Sequence, residues 1–280
     1  MLEPDHQENP TTMPEIRVAI AGLGAIGRML ARKLNAGLPG LKLACAAAGD
    51  RAKAQAFLDA EGIACPIVPL SEFPAYADIA VECAPAAIIE DICRPMLEAG
   101  KSVIVLSCGA LLPRPQILEL AEAKGGRIIV PTGALLGLDA VVAAAEGEIE
   151  SVRMITRKPP AGLKGAPYLE KNGISVDGLT EAKRVFSGSA REAAAGFPAN
   201  VNVAAALSLA GIGPDRTRID IWADPAVTRN CHDIEVEADS ARFRLSIENV
   251  PSENPKTGRI VALSVLAALR KLGAPLSVGT

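Results

Sequence analysis

Three glycines near the start of the chain have the spacing of a phosphate-binding loop. Gly22, Gly24 and Gly27 follow an apolar run at 16–22 and precede a stretch with helical periodicity at 25–36. Glycine permits a tight turn there and lets the backbone approach a pyrophosphate, which the helix N-terminus attracts. The pattern predicts dinucleotide binding. The expected cofactor contacts are Gly22, Gly24, Ala25, Ile26 and Gly27, together with Ala84 at the end of the third apolar run.

The adenosine ribose of such a cofactor would meet the end of the second apolar run, at 41–49. A carboxylate that binds the ribose hydroxyls normally stands there, but this run ends in alanines and Gly49. Asp50 and Arg51 follow immediately. A contact of Asp50 with the ribose would favour NAD, and a contact of Arg51 with a 2′-phosphate would favour NADP. Alternatively, each is an ordinary solvated residue at the start of the next helix. The sequence therefore predicts NAD or NADP and leaves the preference open.

Acid–base chemistry by an imidazole depends on one residue. The chain has two histidines, and His6 lies in the polar N-terminal segment, which leaves His232. On its strand His232 has the same parity as Ile234 and Val236, so it is expected on the apolar face. Two interpretations stay open from the pattern: a proton-transferring group beside a cleft, or a core histidine with its polar atoms satisfied.

The elements that must position these residues have one pattern up to about residue 134. Short, nearly continuous apolar runs alternate with helical stretches, which is typical of βαβ units and of a parallel sheet covered on both faces. We therefore predict an α/β fold with a Rossmann-type, doubly wound parallel sheet. The predicted strands are 16–22, 41–49, 78–84, 102–107 and 127–133, and the predicted helices are 25–36, 51–61, 86–99 (kinked or broken at Pro95) and 114–124.

The pattern changes after residue 134. Longer runs alternate polar and apolar residues, which indicates a mainly antiparallel sheet with one buried face. Alanine-rich segments at 138–146 and 199–210 are predicted helices. This second half is expected to be an α+β domain. Its predicted strands are 150–157, 217–224, 231–238 and 241–249, the last two joined by a hairpin at Asp239-Ser240.

These patterns predict the division of the chain. Residues 1–14 are expected to be a disordered tail, 15–134 a dinucleotide-binding domain, and 135–252 a domain for substrate binding and dimerisation. A closing helix at 253–273, with Pro255 near its start, is expected to pack back on the first domain.

Composition excludes several functions. The chain is 49% hydrophobic and 22% charged with a net charge of -3, and its basic residues are scattered, which argues against nucleic-acid binding. We expect no export signal and no membrane-spanning run, hence a cytoplasmic protein. The six cysteines form no CxxC pair, so no metal site is expected.

Six segments occur in the order found in a known enzyme family, and the sequence resembles the L-aspartate dehydrogenases over nearly its whole length. The segments are Ser107–Leu111, Gly133–Gly137, Thr156–Pro160, Phe197–Val203, Asn230–Ile234 and Asn254–Gly258.

The resemblance implies oxidative deamination of L-aspartate with NAD or NADP, giving iminoaspartate and then oxaloacetate and ammonia. It also implies a homodimer and, in some organisms, a role in NAD biosynthesis. Carried over by motif, His232 resembles the catalytic acid–base group, and Ala134 and Asn200 resemble cofactor contacts near the nicotinamide.

A small dicarboxylic amino acid as substrate requires cationic or N–H donors. Arg157 and Lys158 end the first strand of the second half and would clamp a carboxylate, or else form a solvated basic pair. Lys256 and Thr257 start the closing helix, where anions are also favoured.

Two other functions compete with this interpretation. One is a two-domain dehydrogenase of the aldehyde type with Cys108 as nucleophile, which would need a nearby base. The other is a non-catalytic redox sensor that binds the dinucleotide, although the sequence offers no helix-turn-helix to transmit a signal.

Overall fold

The computed structural model describes residues 15–198, 201–251 and 258–279. Its first half alternates strands and helices as the apolar runs predict, and a short helix, α3, is added before β3. The elements are β1 (Ile16–Ala21), α1 (Ala25–Asn35), β2 (Leu41–Ala47), α2 (Arg51–Ala60), α3 (Phe73–Tyr76), β3 (Ile79–Glu82), α4 (Ile89–Glu98), β4 (Ser102–Val105), α5 (Pro115–Lys124) and β5 (Arg127–Ile129).

The first sheet is fully parallel, in the order β2-β1-β3-β4-β5. Alternate residues of β1 serve two apolar clusters: Val18 and Ile20 pack with α1, α2 and α10, whereas Ala19 and Ala21 pack with α3, α4 and α5. Both faces of the sheet are therefore covered, and the predicted doubly wound α/β fold is confirmed.

The strand order reverses between β1 and β3. β1 pairs with β2 on one side and with β3 on the other, so the chain leaves their carboxyl ends in opposite directions. Ligands of open α/β sheets bind in the crevice outside such a switch point. The glycine loop after β1 stands at this crevice.

The second half folds around a mixed sheet in the order β10-β9-β6-β8-β7. All its pairs are antiparallel except β6 with β8. The predicted α+β architecture is confirmed, and β7 is a strand that the alternation does not indicate. The elements are α6 (Leu138–Ala145), β6 (Ile149–Lys158), α7 (Pro167–Lys171), β7 (Lys183–Ser189), α8 (Ala190–Gly196), α9 (Asn202–Ala210), β8 (Arg218–Ala223), β9 (Asn230–Ala238), β10 (Arg242–Asn249) and α10 (Arg259–Gly273).

The described start of the closing helix and the course of α4 at Pro95 differ from the predictions. α10 begins at Arg259, and most of its predicted start falls on residues 252–257, outside the described residues, as does the predicted tail at 1–14. Val265, Leu266 and Leu269 of α10 pack in the apolar cluster that holds Val18. Of the predicted kink or break at Pro95, the break is wrong, because α4 continues through Pro95 to Glu98. No described helix is long and apolar enough to cross a bilayer.

Candidate active site

A cleft of about 680 Å³ lies between the carboxyl ends of the first sheet and one end of the second. The loops after β3, β4 and β5 contribute Glu82–Ala87, Leu106–Ala110 and Val130–Ala134 to its wall. Because it is bounded by both sheets, a ligand there meets groups from both halves of the chain. The second half contributes Lys158, Asn230 and His232, and the start of α10 contributes Gly258 and Val261.

The glycine loop has the geometry that a pyrophosphate requires. Gly22 has φ +104°, and a Cβ on it would lie 2.6 Å from the Cys83 carbonyl oxygen. A Cβ on Gly27 would lie 1.9 Å from the Gly22 carbonyl oxygen, so both glycines are needed for close packing. Gly24 is the N-cap of α1, and a Cβ there would meet nothing within 4 Å. Open space at a helix N-terminus fits the phosphates of a dinucleotide.

The residues at the ribose position are engaged in local structure. The carboxylate of Asp50 caps α2 by accepting from the Lys53 backbone N–H at 2.9 Å. The guanidinium of Arg51 donates to the Ile67 carbonyl at 2.6 Å. Both side chains are exposed, so this geometry does not select between NAD and NADP.

His232, on β9, lines the cleft. Its side chain is only 2% exposed, and its Nδ1 lies 3.0 Å from Thr156 Oγ1 on the neighbouring strand β6. Burial, with a smaller contribution from the charge of Lys158, lowers the pKa of His232 to about 3. The imidazole is therefore neutral throughout the physiological pH range.

Lys158 lies two residues beyond Thr156 on β6, so the two side chains share a face. It is 4% exposed, and burial lowers its pKa to about 8. Most Lys158 side chains thus keep their proton at neutral pH. A buried cation beside a neutral imidazole suits an anionic ligand that exchanges a proton.

Arg157 is not brought to the cleft with Lys158. Successive strand residues face opposite sides of the sheet, and its guanidinium pairs with Asp224 (Nη1 to Oδ2, 3.3 Å) and lies 5.1 Å from the Trp222 ring centroid. The predicted basic pair is therefore divided between two faces. Three further predicted site residues, Asn200, Lys256 and Thr257, lie outside the described residues.

Cys108 lines the cleft but is in the wrong environment for a nucleophile. Its thiol is 2% exposed and donates to the Asn202 carbonyl at 3.0 Å. Burial raises its pKa to about 12. A reactive cysteine needs the opposite shift, because the thiolate is the attacking species. The geometry therefore argues against the aldehyde-type alternative.

Glu82 and Asn230 are polar residues of the cleft that were not singled out from the sequence. Glu82 ends β3, is buried, and accepts from the backbone N–H groups of Leu106 (3.0 Å) and Ser107 (2.7 Å). It thereby ties the end of β3 to the end of β4, and burial raises its pKa. Asn230 precedes His232 by two residues and shares its face. Two sequence signals could have indicated these residues: the carboxylate near the end of an apolar strand, and the spacing of two that puts Asn230 on the same face as His232.

Known proteins resemble this chain over both halves. Residues 22–131 match the family model described as "Homoserine dehydrogenase, NAD binding domain", and residues 139–272 match "Aspartate dehydrogenase, C-terminal". L-aspartate dehydrogenase 3 of Bordetella bronchiseptica is 58% identical over 267 residues, covering 95% of this chain and 98% of that protein. The chain belongs to the aspartate dehydrogenase family.

Other relatives agree with this family assignment. The L-aspartate dehydrogenase of Bradyrhizobium diazoefficiens is 58% identical over 270 residues, with 96% of each chain covered. The crystal structure of aspartate dehydrogenase from Thermotoga maritima superposes with a TM-score of 0.70 at 25% identity, covering 94% of this chain and 99% of that one. Membership of the aspartate dehydrogenase family makes the chain an oxidoreductase whose first half binds NAD or NADP.

Proposed function

We propose that this protein oxidises L-aspartate at Cα to iminoaspartate, which water hydrolyses to oxaloacetate and ammonia. One observation carries the proposal: a neutral imidazole and a buried lysine ammonium share a face of the second sheet, across a cleft from the phosphate-binding loop. The names of the relatives supply the substrate. Entry of iminoaspartate into NAD biosynthesis is part of the same proposal.

The cofactor contacts remain those inferred from the loop and the family. When bound, NAD or NADP supplies the hydride acceptor. Ala84 and Ala134 support this assignment by lining the cleft beyond the ends of β3 and β5. Gly22, Gly24, Ala25, Ile26 and Gly27 would hold the pyrophosphate, and Ala84, Ala134 and Asn200 would hold the rest of the cofactor.

His232 is assigned the acid–base role. With Nδ1 engaged by Thr156, a proton passing to or from the substrate must use Nε2. A base at Nε2 requires the tautomer in which Nδ1–H donates to Thr156 Oγ1. Such an imidazole would take a proton from the substrate amino group, release that proton to solvent, and then take a proton from the water that attacks the imine.

Lys158 is assigned to a substrate carboxylate. Its ammonium is desolvated, so a carboxylate at hydrogen-bonding distance would restore the lost solvation and raise its pKa towards the ordinary value. Arg157 has no part in this assignment, because it faces away from the cleft.

We further propose the division into domains at 15–134 and 135–252, a homodimer, and a cytoplasmic location. Two separate sheets support the division. The homodimer rests on the resemblance to the L-aspartate dehydrogenases. Cysteines present as free thiols suit a reducing compartment.

The decisive experiment is a spectrophotometric assay of nicotinamide reduction. L-aspartate is compared with D-aspartate, L-glutamate and L-malate, each with NAD and with NADP. We expect turnover of L-aspartate alone, with stoichiometric ammonia. Faster oxidation of malate, or nicotinamide binding without turnover of any of the four, would overturn the proposal.

A further inference from the structure

Two connections join the halves of the chain. The first, residues 130–137, leads from β5 to α6, and the second, residues 250–258, returns from β10 to α10. Asn249 Nδ2 donates to the Ala134 carbonyl oxygen at 2.9 Å. The Gly133 backbone N–H donates to Ser264 Oγ at 3.1 Å. The first connection is thus hydrogen-bonded to residues on both sides of the second.

Both side chains that make these bonds are buried. Asn249 is 3% exposed and Ser264 is 8% exposed. Among the described residues Asn249 Oδ1 has no hydrogen-bond partner, and a Cβ on Gly258 would lie only 3.1 Å from it. A buried amide whose oxygen has no partner costs free energy. We therefore take the hydrogen bond from its nitrogen to the Ala134 carbonyl as a specific contact.

The same strands also hold the proposed acid–base residue. Asn249 on β10 faces Asn230 on β9, and two residues along the same pair Ile247 faces His232. The Ala134 carbonyl is therefore fixed to the rigid strand pair that places the imidazole. On the other side, the loop Pro131–Ala134 lines the cleft, and Gly133 within it has φ +63°.

We infer that Asn249 and Ser264 are positioning residues, which hold the loop Pro131–Ala134 in the shape that receives the nicotinamide end of the cofactor opposite His232. This inference rests on the proposed function for the identity of the cofactor end. Satisfying the Gly133 N–H and the Ala134 carbonyl within the protein fixes the peptide planes before Gly133 and after Ala134 before a ligand arrives. The loss of either bond would leave the adenosine end of the cofactor unaffected, because the glycine loop lies after β1.

Two ligands that differ only in the nicotinamide end test the inference by direct binding. Titrations of NADH and of ADP-ribose are compared in the wild type, Asn249→Leu and Ser264→Ala (NADPH and 2′-phospho-ADP-ribose serve if the wild type prefers them). We expect NADH affinity to fall about tenfold in each variant, the effect of losing one buried hydrogen bond, with ADP-ribose affinity unchanged.

Ser208→Ala is the matched control. Ser208 Oγ donates to Ala205 O at 2.8 Å within α9, as Ser264 Oγ donates to Val261 O at 2.7 Å within α10, and Ser208 is also buried. We expect both affinities to stay at the wild-type value in this variant. If Asn249→Leu does not fold, Ser264→Ala alone decides.

Two outcomes would overturn the inference: equal weakening of both ligands, which indicates general loosening, or no weakening of NADH in Ser264→Ala. Neither measurement needs aspartate. A wild type that binds NADH but does not oxidise aspartate would therefore contradict the proposed function and leave this test intact.

Discussion

At the scale of single residues, burial gives two neighbouring side chains opposite uses. His232 and Lys158 are both almost inaccessible, and in both burial opposes the charged form. A shift to about 3 makes the imidazole a permanent neutral group, whereas a shift to about 8 leaves the lysine mostly charged at neutral pH. The imidazole therefore starts with a ring nitrogen free of a proton, and the lysine starts with the charge that binds an anion.

Replacement of His232 by alanine tests the acid–base role. We expect kcat to fall by about two orders of magnitude or more, the usual contribution of a positioned general acid–base group. The dissociation constant for NADH should stay within about twofold, because the glycine loop lies in the other half of the chain. A variant with nearly wild-type kcat would remove His232 from the mechanism.

The charge of Lys158 predicts a pH dependence of anion binding. Succinate resembles the substrate but has no amino group to titrate, so its competitive inhibition constant reports on the protein. Because binding requires the protonated lysine, whose pKa is about 8, affinity should be constant below that pH and fall about tenfold per unit above it. The measurement is inhibition by succinate from pH 6 to pH 10.

Substitutions at two adjacent residues distinguish the effect of the Lys158 charge on succinate binding from that of the overall charge of the protein. Lys158→Met should bind succinate weakly at every pH and lose the dependence, whereas Arg157→Met should keep it, since Arg157 faces Asp224 on the other side of the sheet. An unchanged pH profile in Lys158→Met would contradict the assignment.

Residue parity also explains what the sequence predicted and what it did not. The period of two on β9 correctly indicated that His232 faces inward. Applied to β6, the same rule separates Arg157 from Lys158, which adjacency in sequence had grouped together. Glu82 was not singled out because it lies inside the predicted strand 78–84, and its backbone partners lie 24 and 25 residues away.

At the scale of elements, the three glycines of the glycine loop have different structural roles. Gly22 and Gly27 are required by the backbone, because added Cβ atoms would collide with carbonyl oxygens. Gly24 is required by nothing within the chain, since a Cβ there meets open space. The proposed reason for a glycine at this position is therefore the ligand.

Substitutions at these two kinds of position should have opposite effects. Gly24→Val should leave the unfolding midpoint within about 4 °C, the cost of a poorer N-cap, and weaken NADH binding at least tenfold. Gly27→Ala should destabilise the fold by about 2 kcal/mol or more, because helix α1 must move away from Gly22. Thermal unfolding and NADH titration of both variants provide the check, and a Gly24→Val protein that binds NADH normally would place the pyrophosphate elsewhere.

Local pattern predicted most elements of the first half because its strands are apolar runs of ordinary length and its helices lie between them with helical periodicity. β7 was missed because its sequence, KRVFSGS, breaks the alternation with glycine and serine, and a register shift between Arg184 and Phe186 disrupts the period further. The contact of Asn249 with Ala134 joins residues 115 positions apart, so no local rule could predict it.

At the scale of the whole molecule, the two sheets share an apolar core. One continuous cluster of buried residues includes Ala80 and Val105 of the first sheet and Val152, Ile219 and Ile234 of the second. Separation of the two halves would expose part of this cluster to water, at about 25 cal/mol for each Å² of apolar surface. The halves are therefore expected to unfold as one cooperative unit.

The single tryptophan allows a direct test of this cooperativity. Trp222 lies on β8 in the second sheet, whereas the glycine loop that would bind ADP-ribose lies in the first half. ADP-ribose at 100 times its dissociation constant stabilises the state that binds it by about 2.7 kcal/mol, which is roughly 5 °C for a chain of this size. If the halves unfold together, the transition seen by Trp222 fluorescence must move by the full amount and coincide with that seen by far-UV circular dichroism. If ADP-ribose does not change the midpoint of the Trp222 transition, the shared cluster does not couple the halves, because a ligand can stabilise only the unit to which it binds.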